Sequence, residues 1–333
     1  MNESEYKFYL EENMVEGNLI AIFTELLKEY ETYLLKLGFN LKTSPPEKII
    51  EYSENLMSKD ENSVLNFLRA IIHYANHSKR FEYITKVIDI SESYNAMDNL
   101  HSRVAEIYGE PLRDEIFNDL VIPPLGTHPE KKPDFTKVIL ERLEGKIGKN
   151  NTIALLSPCL HGRPPDDIDG DKNLLNEMGI DAFLQKKHLE LVARLEKHRD
   201  NGTLEFAQKI DEEIVKYVKE NPIIAHGIRE GNMIYVSKLP YQMRELLDAQ
   251  SDRMKRFFLC YCPWVRGAIK NGTENEISDY FCNCSAGWYK LYWDQIFDYP
   301  VTVEPVKTGL NGALECKFAI KIPEIVLQTI IRP

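Results

Sequence analysis

Apolar residues recur at three- and four-residue steps through the first third of the chain. Between Leu19 and Leu37 they fall at Leu19, Ile20, Ile22, Phe23, Leu26, Leu27, Tyr30, Leu34, Leu35 and Leu37, and Gly38 follows as a stop signal. The pair Pro45–Pro46 opens a second helix through Ile49, Ile50 and Tyr52, since proline costs little in a first helical turn. A third helix is predicted from Asn62 to His77, and further helical segments run past His101 to Tyr108. Residues 109–134 break this pattern, with four prolines between 123 and 133, and read as a linker. Helical spacing resumes at Thr136–Ile147. Ile153–Leu156 reads as a short strand or one buried helical turn, and Ile180–Val218 as two amphipathic helices divided near Asn201–Gly202. After Pro222 the pattern becomes mixed. MIYVSKLP, RFFLCYC, VTVEPV and ALECKFAIKI read as strands, and SAGWYKLYWDQIF as a helix. The expectation is an α+β protein, with a helical domain over 1–120, a linker and helix over 121–149, and an antiparallel-sheet module over 150–333.

Composition narrows the function classes. With 333 residues, 43% hydrophobic and 28% charged, the chain can bury a sizeable core without staples. A net charge of −11 and the lack of a basic run exclude a general nucleic-acid binder, whose affinity comes from clustered Lys and Arg. No stretch approaches the ~18 apolar residues of a membrane helix, and the N-terminus lacks a signal-peptide pattern. A cytoplasmic, non-membrane protein with reduced thiols is expected. A homo-oligomer is compatible with this composition.

The chemistry concentrates near the C-terminus. Five of the six cysteines, Cys260, Cys262, Cys282, Cys284 and Cys316, lie between residues 257 and 318. Cys260 and Cys262 are two apart on a predicted strand and so share a face. Cys282 and Cys284 repeat that spacing just before a predicted helix, whose N-terminal potential favours a thiolate. Four converging sulfurs suit zinc or, as the alternative, an iron–sulfur cluster; packing and redox chemistry are the competing readings. Trp264, Trp288, Tyr289, Tyr292 and Trp293 either line a ligand pocket or fill a core.

Other candidates carry less. His73 and His77 share a helix face at a metal-ligand spacing, but no HExxH pattern surrounds them. Cys159 and His161, in a loop with Arg163, read as a thiolate with its base or as an unremarkable loop pair. The acidic run Asp166, Asp167, Asp169 and Asp171 fails as a calcium loop, because its register puts Pro165 first and Asn176 twelfth.

Residues 281–322 resemble the end of a 4-vinyl-reductase-like domain, through Gly287, Glu304, Gly312, Cys316 and Phe318. The GALECKF ending is also similar to the aminothiazoline-carboxylate hydrolase family, and the CPWVRGAI and CNCSAGWYK blocks resemble a prokaryotic group related to both. The likeness covers the C-terminal half. It implies an α+β module that binds small hydrophobic molecules, with a zinc held by Cys282 or Cys284, Glu304 and Cys316. Lys307 and Thr308 stand where the family has a further cysteine, so Cys260 or Cys262 would replace that ligand.

The leading expectation is thus a small-molecule-binding protein with a metal, zinc first, held by Cys260, Cys262, Cys282 and Cys284, with Glu304 and Cys316 in reserve. Its ligand would sit near Arg266, Trp264, Trp288 and Tyr292. One alternative is a hydrolase of a C–N bond, with a cysteine nucleophile or metal-bound water doing the chemistry and Arg266 or Arg163 holding a substrate carboxylate. Another is an interaction scaffold built on the helical half.

Overall fold

The computed structural model describes residues 2–162 and 167–330. It forms two compact units, residues 1–94 with 122–132, and residues 95–121 with 133–333. These boundaries differ from the expected 1–120, 121–149 and 150–333. The proline-rich stretch Ile122–Lys132 is part of the first unit, whereas Asn95–Val121 belongs to the second.

The first unit is helical: α1 (Glu3–Glu12), α2 (Gly17–Lys36), α3 (Lys48–Leu56), α4 (Glu61–Ser78) and α5 (Glu82–Ser91). Asp60 starts α4 by accepting the Ser63 N–H at 2.8 Å, which satisfies one of the free amides of a first turn. Phe23, Leu27, Tyr30 and Leu34 form the buried stripe of α2. The Tyr6 hydroxyl donates to the Ala70 carbonyl at 3.0 Å, joining α1 to α4. Arg80 donates to the carbonyls of Leu41 (2.8 Å) and Ser44 (2.9 Å) and lies over the Tyr83 ring, closing the corner between α4 and α5. His73 and His77 pack among rings: His73 stacks on Phe23 at 5.7 Å and His77 lies 5.0 Å from Tyr9.

The second unit begins with α6 (Ala96–Tyr108), α7 (Glu110–Phe117), α8 (Lys132–Ile147, from Pro133 in this unit) and α9 (Lys149–Leu156). Part of the expected linker is therefore the helix α7, with Pro111 in its first turn. Ile153–Leu156 is helical rather than a strand. Next come α10 (Ile168–Met178) and α11 (Ile180–Asn201). A small hairpin of β1 (Leu204–Glu205) and β2 (Gln208–Lys209) separates α11 from α12 (Glu212–Glu220). The remaining elements are β3 (Ile228–Glu230), β4 (Met233–Ser237), α13 (Met243–Asp248), α14 (Asp252–Leu259), α15 (Arg266–Asn271), α16 (Asn283–Phe297), β5 (Thr302–Lys307), β6 (Lys317–Lys321) and α17 (Glu324–Ile330).

The main sheet is antiparallel in the order β3-β4-β6-β5, with Ile234 and Val303 both opposite Ile320. Alternate residues Ile234, Val236, Phe318 and Ile320 are buried, and they pack with Ala286, Tyr289, Trp293 and Ile296 of α16 and with Phe183 and Leu184 of α11. This is an α+β arrangement. One expected strand is absent: RFFLCYC is the end of α14 followed by an irregular loop holding Cys260 and Cys262. Ser251 caps α14 by accepting the Met254 N–H at 3.3 Å, and the segment contains no β-branched residue to favour a strand. No helix among the described residues is long and apolar enough to cross a membrane.

Candidate metal centre

The site is built where the loop after α9 meets the first turns of α16. Cys159 and Cys284 are buried and His161 is half-buried, and one ligand atom from each lies within 4.8 Å of the other two. The Leu160 N–H donates to Cys284 Sγ at 3.3 Å. Two side chains of α6 hold this loop. Arg103 donates to the carbonyls of Leu155 (2.5 Å), Pro158 (2.5 Å) and Cys159 (3.2 Å), and Asn99 donates to the Leu160 carbonyl at 2.6 Å. Three carbonyls on one guanidinium fix the loop more tightly than single bonds would.

Gly287 permits the close approach. It lies three residues after Cys284 on the same side of α16. A Cβ there would stand 2.1 Å from the Ser157 carbonyl oxygen and 2.5 Å from the Cys159 nitrogen. Only a residue without a side chain lets the Cys159 backbone rest on the helix.

The two sulfurs share one proton's worth of chemistry. Cys284 is driven well below the usual thiol range, first by the Cys159 S–H that hydrogen-bonds it and further by His161 and the Leu160 amide. Cys159 is pushed up correspondingly, by its bond to Cys284 and by burial. A thiolate beside a thiol and an imidazole is a ready donor set for a soft or borderline metal ion.

The other cysteines stand close by without joining this group. Burial is the main cause raising Cys260, Cys262, Cys282 and Cys316, the last to about 11. Among the described residues, Cys159, His161 and Cys284 are the one set of three His, Cys, Asp or Glu ligand atoms drawn this close together. The expected set of Cys260, Cys262, Cys282 and Cys284 is thus not gathered at single-ion spacing. Glu304 is exposed on β5 opposite Ala319, outside that group, so the ligand set implied by the family resemblance is not assembled.

The expected ligand-binding residues separate into two kinds. Trp264 is 1% exposed, and its carbonyl accepts the Thr136 hydroxyl at 2.8 Å. The Tyr292 hydroxyl donates to buried Asp171 at 2.6 Å, and Asp171 also pairs with Lys187 at 2.9 Å. Arg266 is buried over the Tyr241 and Phe257 rings and donates to Gln242 at 2.8 Å. All three serve the core. Trp288 remains half-buried, with its ring 5.5 Å from that of His161. Arg163, Pro165 and Asp166 lie outside the described residues. Asp167 caps α10 by accepting the Gly170 N–H at 3.1 Å.

The C-x-H spacing links Cys159 to His161 in sequence, and nothing in sequence links either to Cys284. The spacing between these segments, 124 residues from Leu160 to Cys284, carries no local signal. The glycine at position 287 was visible, but only as part of a motif. No family model, curated protein or solved structure matches the chain.

Proposed function

We propose that this chain binds a zinc ion through Cys159, His161 and Cys284 and receives a small molecule beside it. The observation that carries this reading is the convergence of the three ligand atoms within 4.8 Å in a largely buried position. Two sulfurs and one imidazole match the three-ligand pattern that leaves a fourth position open. When bound, zinc would supply Lewis-acid polarisation of a ligand and a lowered pKa for a bound water. The chain's own residues do the rest. Arg103 and Asn99 hold the Cys159 loop in register, the Leu160 amide stabilises Cys284 as thiolate, and Trp288 offers an aromatic wall next to His161.

The proposal includes a 4-vinyl-reductase-like module, supported by the run from α16 through β5 to β6 around Gly287 and Phe318. It also includes a reducing, cytoplasmic setting, supported by six free cysteines. A second reading, hydrolysis of a C–N bond, is favoured by the depressed thiol of Cys284 beside His161, which is also a nucleophile's environment. The test is zinc binding by wild type against Cys284→Ser and His161→Ala, followed by single-turnover assays on small amides and heterocycles. Binding that is unchanged in both variants would remove the proposal. A covalent adduct on Cys284 in zinc-free protein would favour the hydrolase.

A further inference from the structure

Four thiols remain after the three-ligand site is accounted for, and Lys238 marks where their segments meet. The Lys238 backbone N–H donates to the Cys316 carbonyl at 2.9 Å. Its ammonium donates to Ser285 Oγ at 3.0 Å, next to Cys284, and lies 5.6 Å from the ring of Tyr261, which stands between Cys260 and Cys262. On the Cys316 side, the Gly309 N–H donates to Cys316 Sγ at 3.5 Å, and a Cβ on Gly309 would touch Leu259, the residue before Cys260. The segments bearing Cys260, Cys262, Cys282 and Cys316 therefore converge around one half-buried cation, with Glu315 beside Cys316 held away by Lys307 at 2.9 Å and by Ser237 at 3.1 Å. The thiols influence one another's charge: Cys262 feels Cys260, Cys284 and Cys282, and Cys282 feels Cys316 and Cys260.

Every one of these sulfurs also meets a donor. Backbone amides of Cys262, Trp264 and Gly309 serve Cys260, Cys262 and Cys316, and the Thr308 hydroxyl serves Cys282. Donors arranged this way stabilise thiolates, and hydrogen bonds to sulfur are a principal means of tuning an iron–sulfur centre. The spacing is too wide for one ion. A tetrahedral zinc with ~2.3 Å bonds holds its sulfurs about 3.8 Å apart, and no three of these four sulfurs come within 4.8 Å of one another. Four sulfur donors on converging segments, with no three at single-ion spacing, suit several metal ions bridged by inorganic sulfide.

We infer that Cys260, Cys262, Cys282 and Cys316 hold a polynuclear iron–sulfur cluster, in a centre that neighbours Cys159, His161 and Cys284 and shares no ligand with them. Ligation replaces each thiol proton, which passes to solvent. Lys238 offsets part of the negative charge left on the thiolates.

The test is anaerobic reconstitution of the full chain with a mixture of ferric and ferrous iron and sulfide, followed by iron and acid-labile sulfide analysis and a visible spectrum. Wild type should retain about two or more iron atoms per chain with matching sulfide and a broad brown absorbance. Cys260→Ser/Cys316→Ser should lose at least ten-fold of both, while Cys159→Ser/Cys284→Ser keeps them. Wild type that retains no sulfide overturns the inference whatever the variants do. Equal retention in both double variants, or loss only in the second, overturns it as well. Urea unfolding of each variant shows whether a loss reflects the site or the fold. Zinc uptake without sulfide would leave the three-ligand proposal standing and remove only the cluster.

Discussion

Gly287→Ala tests the junction on which the candidate centre depends. A Cβ at this position meets the Ser157 oxygen at 2.1 Å, whereas ordinary contact begins at 3.4 Å, so the backbone of the Cys159 loop must retreat by about 1.3 Å. Neither obstructing atom belongs to a side chain that could rotate away. Overpacking of this kind costs about 1–3 kcal/mol. The retreat also strains the bonds from Arg103 to Leu155, Pro158 and Cys159, each worth about 1 kcal/mol. Against this, alanine in a helix gains about 1 kcal/mol over glycine. With all three bonds lost, the balance is a loss of about 3–5 kcal/mol. Urea unfolding should show a lower midpoint at an unchanged slope, and zinc affinity should fall at least ten-fold as Cys159 leaves Cys284. A variant about 1 kcal/mol more stable than wild type, showing helix propensity alone, would refute the close approach.

The other predictions concern separate parts of the molecule. Arg103→Met should lower stability by about 1–3 kcal/mol by leaving three carbonyls without their donor, and should weaken zinc binding, both measurable in one urea and chelator-competition series. Trp293→Ala should cost about 3–5 kcal/mol, because its buried ring packs on Phe183, Tyr292 and Phe297, and thermal unfolding reads this directly. Burial holds the folded-state pKa of His73 below its ordinary 6.5. The folded protein therefore binds fewer protons there than the unfolded chain, and this stability is present above about pH 6.5 and lost as pH falls toward the folded value. His73→Phe should flatten the loss of urea midpoint between pH 7 and 5, and an unchanged slope would contradict the assignment. His188 shifts the same way by burial and would account for a remaining slope.

Local pattern carried the elements whose own residues dictate them. The stripe of Phe23, Leu27, Tyr30 and Leu34 is a helix face in sequence and in structure. The alternation of Phe318 and Ile320 is a strand in both, and the aromatic run 285–297 lies within α16. RFFLCYC misled because short apolar runs do not separate strand from helix, and the deciding residue is the Ser251 cap upstream. The four prolines between 123 and 133 suggest a linker, yet Ile122–Lys132, with three of them, belongs to the first unit, while Pro133 and α7 belong to the second. The site was legible only in halves. Cys284 stood out within its C-x-C pair, and Cys159 with His161 stood out as a loop pair. What joins them is Gly287 and the carbonyl bonds of Arg103, which are tertiary contacts without periodicity or spacing. Trp264, Tyr292 and Arg266 looked like pocket residues because aromatic and guanidinium groups serve cores and ligands alike.

Native mass spectrometry of the full chain titrated with zinc shows whether Cys159, His161 and Cys284 form a metal centre. Wild type should carry a zinc adduct that is lost in Cys159→Ser, His161→Ala and Cys284→Ser, each still folded by urea unfolding. No zinc on wild type, or the same adduct on all three variants, would contradict a metal centre there.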